Sequence, residues 1–315
     1  MRTPSRRSSV CSPSRDTLRA TMRVTVRIPA TSANLGPGFD SFGLAWDLCN
    51  ELVVDTAAPP GVSWEGEGAD ELPADGSDLI GRVMSAVAGR MSLPLAPLAR
   101  RGRNLIPLER GLGSSSAATV AGVVAASALL DLGIDADPIS VFAMAAEIEG
   151  HPDNVAAAVF GGFTIALDDG TVHRLEPHPG LRPALLVPGF RMSTTAARAV
   201  LPESVPRMDA TANVARAAIE VEALTSDPSL LPLALVDRLH EDVRLATMPE
   251  VADVIEALRR DHVPVCISGA GPSLVVFERA DRPPITLEAL GLPAPWRILR
   301  PGIRSRGFEV EIGGN

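Results

Sequence analysis

The feature that most restricts this chain is the run Gly111-Leu112-Gly113-Ser114-Ser115-Ser116, which opens an Ala/Val-rich stretch reaching Leu132. Glycine has no Cβ, so such a turn can take φ > 0 and bring backbone close to a ligand. The serines after it are good helix N-caps. Behind them Ala117, Val120, Ala121, Val124, Ala128, Leu129 and Leu132 recur at helical spacing, which predicts a helix with one buried stripe. A glycine turn at a helix start aims unpaired N–H groups and the positive end of the helix dipole at one spot, an arrangement suited to a polyphosphate. The competing structural reading is a tight loop capped by serine and packed by alanine. The run is not a Walker A loop, which needs Gly-Lys-Ser/Thr, nor a Rossmann fingerprint, whose third glycine is missing.

Composition narrows the chemistry. At 315 residues the chain is long enough for two domains. With 46% hydrophobic and 21% charged residues it reads as a soluble globular protein, and no apolar run reaches the roughly 18 residues of a membrane helix. Cys11, Cys49 and Cys266 are widely spaced and odd in number, which fits a reduced cytoplasm and no metal pattern. A net charge of −9 argues against nucleic acid as the main partner. The sequence contains no Lys, so all 29 basic residues are Arg. That excludes Schiff-base and P-loop-lysine mechanisms and leaves any anion to Arg or to backbone.

Taken in order, residues 1–21 are rich in Arg, Ser and Pro and read as a disordered leader or a mis-called start, with Met22 just before the first strand. Residues 23–28 alternate as a strand that Pro29 is expected to end. The loop that follows, Ala30 to Asp40, gathers turn formers around Asn34 and Asp40, as Asx turns or as an amide and a carboxylate offered to a small polar molecule. A strand is predicted over 51–56, a surface excursion over 59–77, a helix over 79–91 and a strand within 97–106. The helix at 138–149 is followed by Gly150-His151-Pro152-Asp153-Asn154; with Glu147 and Glu149 this puts two carboxylates, an imidazole and an amide at one helix end. Strands are expected at 163–168, 184–188, 263–267, 274–277, 296–300 and 307–312. Helices are expected after the Ser193 cap and at 211–225, 229–247 and 249–262. Ser268–Ser273 forms a second glycine turn, between strands. The predicted boundary divides a domain over 22–170 from one over 180–315.

Three loops in this order, from about Val24 to Phe277, resemble the GHMP small-molecule kinases, the family of galactokinase, homoserine kinase and mevalonate kinase. Ile106–Ala117 resembles that family's ATP-binding motif and Ser268–Ser273 its C-terminal motif. Pro29–Asp40 and Glu149–Asn154 are similar to the homoserine-phosphorylating branch. Two departures stand out: Glu109 where the ATP motif has a small residue, and Asp78 where relatives often carry Asn near the adenine.

The resemblance implies an α+β, two-domain fold, with an N-terminal half like the second domain of ribosomal protein S5 and a ferredoxin-like C-terminal half. It implies ATP and Mg²⁺ as cofactors and L-homoserine as substrate, in a cytoplasmic enzyme of threonine biosynthesis that binds neither nucleic acid nor membrane; a homodimer is left open. Expected at the nucleotide are Pro107, Leu108, Glu109, Arg110, Gly111, Leu112, Gly113, Ser114, Ser115, Ser116, Ala117, Gly269 and Gly271. Ser115 with Glu149 or Glu147 is expected at the metal. At the substrate it implies Asp40 for the ammonium, Arg198 and Arg244 for the carboxylate, Asn34 and Asn154 for the hydroxyl end, and His151 beside them. Asn34, Asp153, Asn154 and Arg244 are the catalytic candidates. Alternatives are a GHMP kinase for another alcohol and a regulator that binds nucleotide without turnover.

Overall fold

The computed structural model describes residues 21–314; the leader expected over residues 1–21 lies, but for its last residue, outside them. The first sheet is built from β1 (Met22–Ala33), β2 (Phe42–Asp55), β3 (Gly61–Gly66), β4 (Ala99–Asn104), β5 (Phe163–Ala166) and β6 (Val172–Leu175). Its spine runs β1-β2-β4-β3, β5 hydrogen-bonds the start of β2, and β6 pairs β5. The second sheet, in the order β10-β7-β9-β8, is antiparallel and uses β7 (Pro183–Val187), β8 (Val265–Ile267), β9 (Leu274–Phe277) and β10 (Arg297–Leu299). The last strand, β11 (Glu309–Gly314), returns to the first sheet and pairs antiparallel with β1, from Met22↔Gly314 to Arg27↔Glu309. It therefore sits apart from the C-terminal half in which the sequence places it.

Pro29 does not end the first strand. β1 runs to Ala33, and the register against β2 shifts between Pro29 and Ala30. A bulge is where a sheet tolerates a residue that cannot donate to the ladder. The bulge lets one strand carry the Ala30–Ala33 segment directly to Asn34. β2 likewise begins at Phe42, well before the predicted residue 51, and β3 lies inside the expected surface excursion.

The helices are α1 (Leu79–Arg90), α2 (Ser114–Leu129), α3 (Pro138–Glu149), α4 (Pro152–Phe160), α5 (Thr194–Ala199), α6 (Arg207–Thr225), α7 (Leu231–Ala234), α8 (Glu241–Leu245) and α9 (Pro249–Arg260). The predicted helix over 229–247 is broken, because Leu235–His240 leaves helical geometry between α7 and α8. α2 is buried on nearly all sides, not along one stripe: Ser116, Ala117 and Thr119–Leu129 are all buried. It packs against α1, α3, α4 and β1, and its small side chains permit that approach.

Alternation fixes the second sheet. Leu185, Val187, Val275 and Phe277 face the core that runs through the first sheet. Their neighbours Leu186, Leu274 and Val276 face α9, with Val251, Val254, Ile255 and Leu258. Successive side chains on a strand point to opposite faces, so a sheet covered on both sides reads as continuous apolar sequence. The result is an α+β molecule with its two sheets around one cleft.

Candidate active site

A cleft of about 570 Å³ is lined by residues from both parts of the molecule, among them Asn34, Gly111–Ser116, Glu149, Asp153, Arg198, Arg244 and Gly269. One end is the start of α2. Gly113 is the N-cap in left-handed conformation, and no side chain caps the helix. Ser114, Ser115 and Ser116 are thus its first three helical residues, not its caps as the sequence suggests. The first-turn N–H groups of a helix have no partner within it, so this end presents donors and the positive dipole to the cleft.

The loop is bolted from behind. Gly111 and Gly113 both sit at φ 70°, and a Cβ would collide with the Ser268 carbonyl at the first and with Thr31 Oγ1 at the second. Ser268 Oγ donates to Gly111 O at 2.6 Å. Ser32 Oγ lies 2.6 Å from Ser268 Oγ, and Trp46 Nε1 donates to Ser32 Oγ at 2.8 Å. Since the Ser268 proton is engaged at Gly111, Ser32 is the donor to Ser268, and the hydroxyls form a one-way chain from the Trp46 indole to the loop. The second glycine turn is joined to the same place: Gly269 N donates to Ala33 O and Ser273 N to Arg110 O. Arg110 uses each of its three nitrogens once, donating to Pro188 O, Leu108 O and Gly189 O. It ties the loop to the far side of the cleft, which it also lines, and keeps two guanidinium N–H groups beyond these three bonds. Glu109 takes φ 52°, and its carbonyl accepts from Met192 N at 3.0 Å.

Glu149 and Glu147 separate cleanly. Glu149, the last residue of α3, accepts from Ser116 Oγ at 3.1 Å and from Thr119 Oγ1 at 2.7 Å, and lines the cleft. Glu147 is 67% exposed, bonds Arg90 at 2.7 Å and lies off the cleft. Two residues apart on a helix is about 200° of rotation, so only one of the two can face the site. Ser115 is exposed on the cleft wall. Pro107 and Gly271 lie behind the lining, while Leu108, Leu112 and Ala117 form part of it.

The other end of the cleft is made of side chains. Asp153 stands in the first turn of α4 and accepts from Asn154 N at 2.6 Å. Burial raises its carboxyl to about 6, against the lowering effect of that bond. Asn154 Oδ1 accepts from Thr31 Oγ1 at 2.7 Å. Asn34 is engaged at both ends, Nδ2 donating to Gly269 O at 2.8 Å and Oδ1 accepting from Asp40 N at 2.9 Å. Its amide holds two loops together as well as facing the cleft. His151, the N-cap of α4, lines the wall beside it.

Asp40 and Arg198, both expected at the substrate, bond each other: Arg198 Nη2 donates to Asp40 Oδ1 at 2.7 Å and Nη1 to Oδ2 at 3.3 Å. Asp40 is thereby drawn to the edge of the cleft. Arg244 is 2% exposed and gives Nη1 to His240 Nδ1 at 2.9 Å and to Gly269 O at 3.0 Å. Burial lowers its pKa to about 10, Asp40 opposing the shift and Arg198 adding to it. Both Arg198 Nε and Arg244 Nε are buried and without a partner.

Asp78, expected near the adenine, lines the cleft and is engaged within the fold as well. It caps α1 by accepting from Gly81 N at 3.0 Å and binds Arg100 through both oxygens at 2.9 and 2.7 Å. The two side chains are 2% and 6% exposed. An Asn could not accept both bonds. Thr31, Ser32, Trp46 and Thr119 were not expected as parts of the site. Thr31 and Ser32 lie inside the first loop motif and Thr119 one helical turn beyond Ser116, but nothing in the sequence points to Trp46.

A glycine-capped helix start thus faces a pair of arginines across a cleft between two sheets. Residues 79–162 match the GHMP kinases N terminal domain. The chain is 43% identical over 308 residues to the homoserine kinase of Clavibacter michiganensis subsp. michiganensis, covering 95% of this chain and 97% of that one. It is 44% identical over 293 residues to the homoserine kinase of Streptomyces coelicolor, covering 91% and 94%. The crystal structure of homoserine kinase from Cytophaga hutchinsonii superposes with a TM-score of 0.75 at 25% identity, over 92% of this chain and 97% of that one. The chain belongs to the homoserine kinase family within the GHMP kinases.

Proposed function

We propose that the protein transfers the γ-phosphoryl group of ATP to the side-chain hydroxyl of L-homoserine, giving O-phospho-L-homoserine for threonine biosynthesis. The observation that carries the substrate end is the pair of cleft arginines with orphaned buried Nε–H groups. A buried donor without a partner costs about 1–3 kcal/mol, a cost that a bound carboxylate removes. With Nη1 committed, Arg244 keeps its Nε–Nη2 edge, which suits a bidentate carboxylate. Asp40 supplies the anion for the ammonium once it parts from Arg198. A zwitterion fits this pair because it offers each partner a counter-charge as it separates them.

At the nucleotide end the open N–H groups of the α2 first turn suit the phosphates, and Ser115 with Glu149 suits Mg²⁺. Among the described residues no three His, Cys, Asp or Glu cluster as a metal site. One carboxylate and a hydroxyl fit an ion that takes its other ligands from phosphate and water. Mg²⁺ bound there would neutralise charge on the phosphates. Phosphoryl transfer through a loose transition state asks for positioning more than for proton removal. Asn34, Asp153 and Asn154 line the wall as positioning groups, and no side chain is an obligatory base. As the hydroxyl oxygen bonds phosphorus, the bond to the β,γ-bridging oxygen breaks, and the hydroxyl proton leaves late to a phosphoryl oxygen. No described helix is long and apolar enough to cross a membrane; we place the reaction in the cytoplasm.

The test is ADP release with homoserine, mevalonate, galactose and shikimate side by side. Homoserine should lead in kcat/KM; a preference for any of the other three would overturn the substrate while leaving a kinase.

A further inference from the structure

Beneath the acceptor end lies a buried polar cluster that the reaction as described does not use. His240 is 1% exposed at the N-cap of α8. Its Nδ1 is 2.9 Å from Arg244 Nη1 and its Nε2 is 2.9 Å from Gly36 O. A guanidinium nitrogen can only donate, so Nδ1 is the acceptor and carries no proton. A carbonyl can only accept, so Nε2 carries the proton. The two bonds select one neutral tautomer. The ring also stacks on Phe39 at 5.0 Å between centroids, and Arg244 Cζ lies 5.5 Å over the same ring. Phe39 and Gly36 belong to the loop that carries Asn34 and Asp40, so one imidazole braces both the arginine and that loop.

We propose that His240 is a positioning residue that must be neutral: it aims the free edge of Arg244 at the substrate carboxylate, and its protonation releases that arginine. The inference rests on the assignment of Arg244 to the carboxylate. A second proton would have to sit on Nδ1, in the line of the Arg244 bond, and would add a positive charge beside a guanidinium. The charged groups facing the ring are Asp237, whose Oδ2 is 3.7 Å from Nε2, together with Arg244 and Asp40. Asp237 is itself held by N–H groups of Leu239, His240 and Glu241 and by Asn213 Nδ2. Glu241 is turned away, into a pair with Arg259. Burial lowers the His240 pKa, Asp237 opposing and Arg244 reinforcing the shift. A base with a depressed folded pKa binds its proton more readily when unfolded. Folded His240 therefore stays neutral to below its ordinary pKa of about 6.5, and the brace is lost only as pH falls through that depressed value, while the stability it contributes begins to decline once the unfolded imidazole protonates.

The experiment compares steady-state kinetics of wild type, His240→Leu, His240→Asn and Arg244→Leu from pH 5.5 to 8.5, with thermal melting as a fold control. His240→Leu should raise KM for homoserine about five- to tenfold, leaving KM for ATP within about twofold. His240→Asn can keep an acceptor in the place of Nδ1 without titrating. Its KM should stay within about threefold of wild type at pH 8 and rise less than wild type in acid. Asp153 titrates in all four proteins and cancels in that comparison. If Arg244→Leu raises KM and His240→Leu does not, the brace is refuted and the carboxylate assignment stands. If Arg244→Leu leaves KM unchanged, the assignment fails and the inference with it. Should His240→Leu not fold, His240→Asn decides: an acid limb in KM identical to wild type overturns the proposal, and a flattened one supports it.

Discussion

At the α2 end of the cleft the groups left open are main-chain N–H groups, held by glycines with no room for a Cβ and by a hydroxyl chain from Trp46. At the other end they are the side chains of Asp153, Arg198 and Arg244, with Asp40 held at Arg198, carried by a loop and three short helices. The backbone end is held by internal hydrogen bonds and presents the open helix start to the cleft. The side-chain end keeps two buried donors unpaired and one pair of charges bonded to each other. On the proposed reading, phosphate, common to many substrates, is met by a fixed cradle, whereas the particular acceptor is met by charges that wait for it.

If that contrast holds, damage at the nucleotide end should appear as lost folding or lost kcat, and damage at the acceptor end as lost recognition. The largest effect is expected from Asp78→Ala. It strands Arg100 in the interior and removes the α1 cap, at about 3–5 kcal/mol for breaking a buried pair. A denaturant midpoint shift of that size, with KM for homoserine unchanged in the protein that remains folded, would bear this out. A change in KM with no loss of stability would make Asp78 a ligand and blur the contrast.

Asp153→Asn should come next, and its sign is opposite. Folding raises this carboxyl from 3.8 to about 6. The folded state thus holds the proton more tightly, and its advantage is complete below about pH 4 and gone above pH 6. An ionised Asp153 then costs about 2–3 kcal/mol. Asn should raise the melting temperature at pH 8 and leave it nearly unchanged at pH 4. The same variant should lower kcat moderately and retain an acidic limb. Loss of that limb with kcat down about 10²–10⁴-fold would instead make Asp153 the base.

Ser115→Ala is the smallest. Ser115 is exposed and is not the helix cap, so stability should hold within about 0.5 kcal/mol. At limiting Mg²⁺, kcat should fall roughly tenfold, about 1.4 kcal/mol. Full activity there would remove Ser115 from the metal.

The same contrast governs what the sequence discloses. A backbone site must be written locally, in glycines and small residues, and Gly111–Ser116 and Ser268–Ser273 are visible as such. The side-chain end is assembled from Asp40, Asp153, Arg198 and Arg244, far apart in the chain. Their residue types are legible, but their partners are not. That Arg198 already holds Asp40, that Asn34 spends its amide on Gly269 and Asp40, and that Arg100 claims Asp78 all depend on distances only the fold sets. Local signals also misled where tertiary packing overrode them. The all-round burial of α2 and the passage of β1 through Pro29 are decided by the neighbours those elements meet.

The central claim is that the acceptor end recognises a zwitterion through two separate charges. The direct measurement is kcat/KM for homoserine against 4-hydroxybutanoate, which lacks the ammonium, and 3-aminopropan-1-ol, which lacks the carboxylate. Each leaves one group of the Asp40–Arg198–Arg244 set without its counter-charge, the buried Arg244 most of all. Both should therefore fall at least about a hundredfold below homoserine. Turnover of either analogue within about tenfold of homoserine would contradict the account.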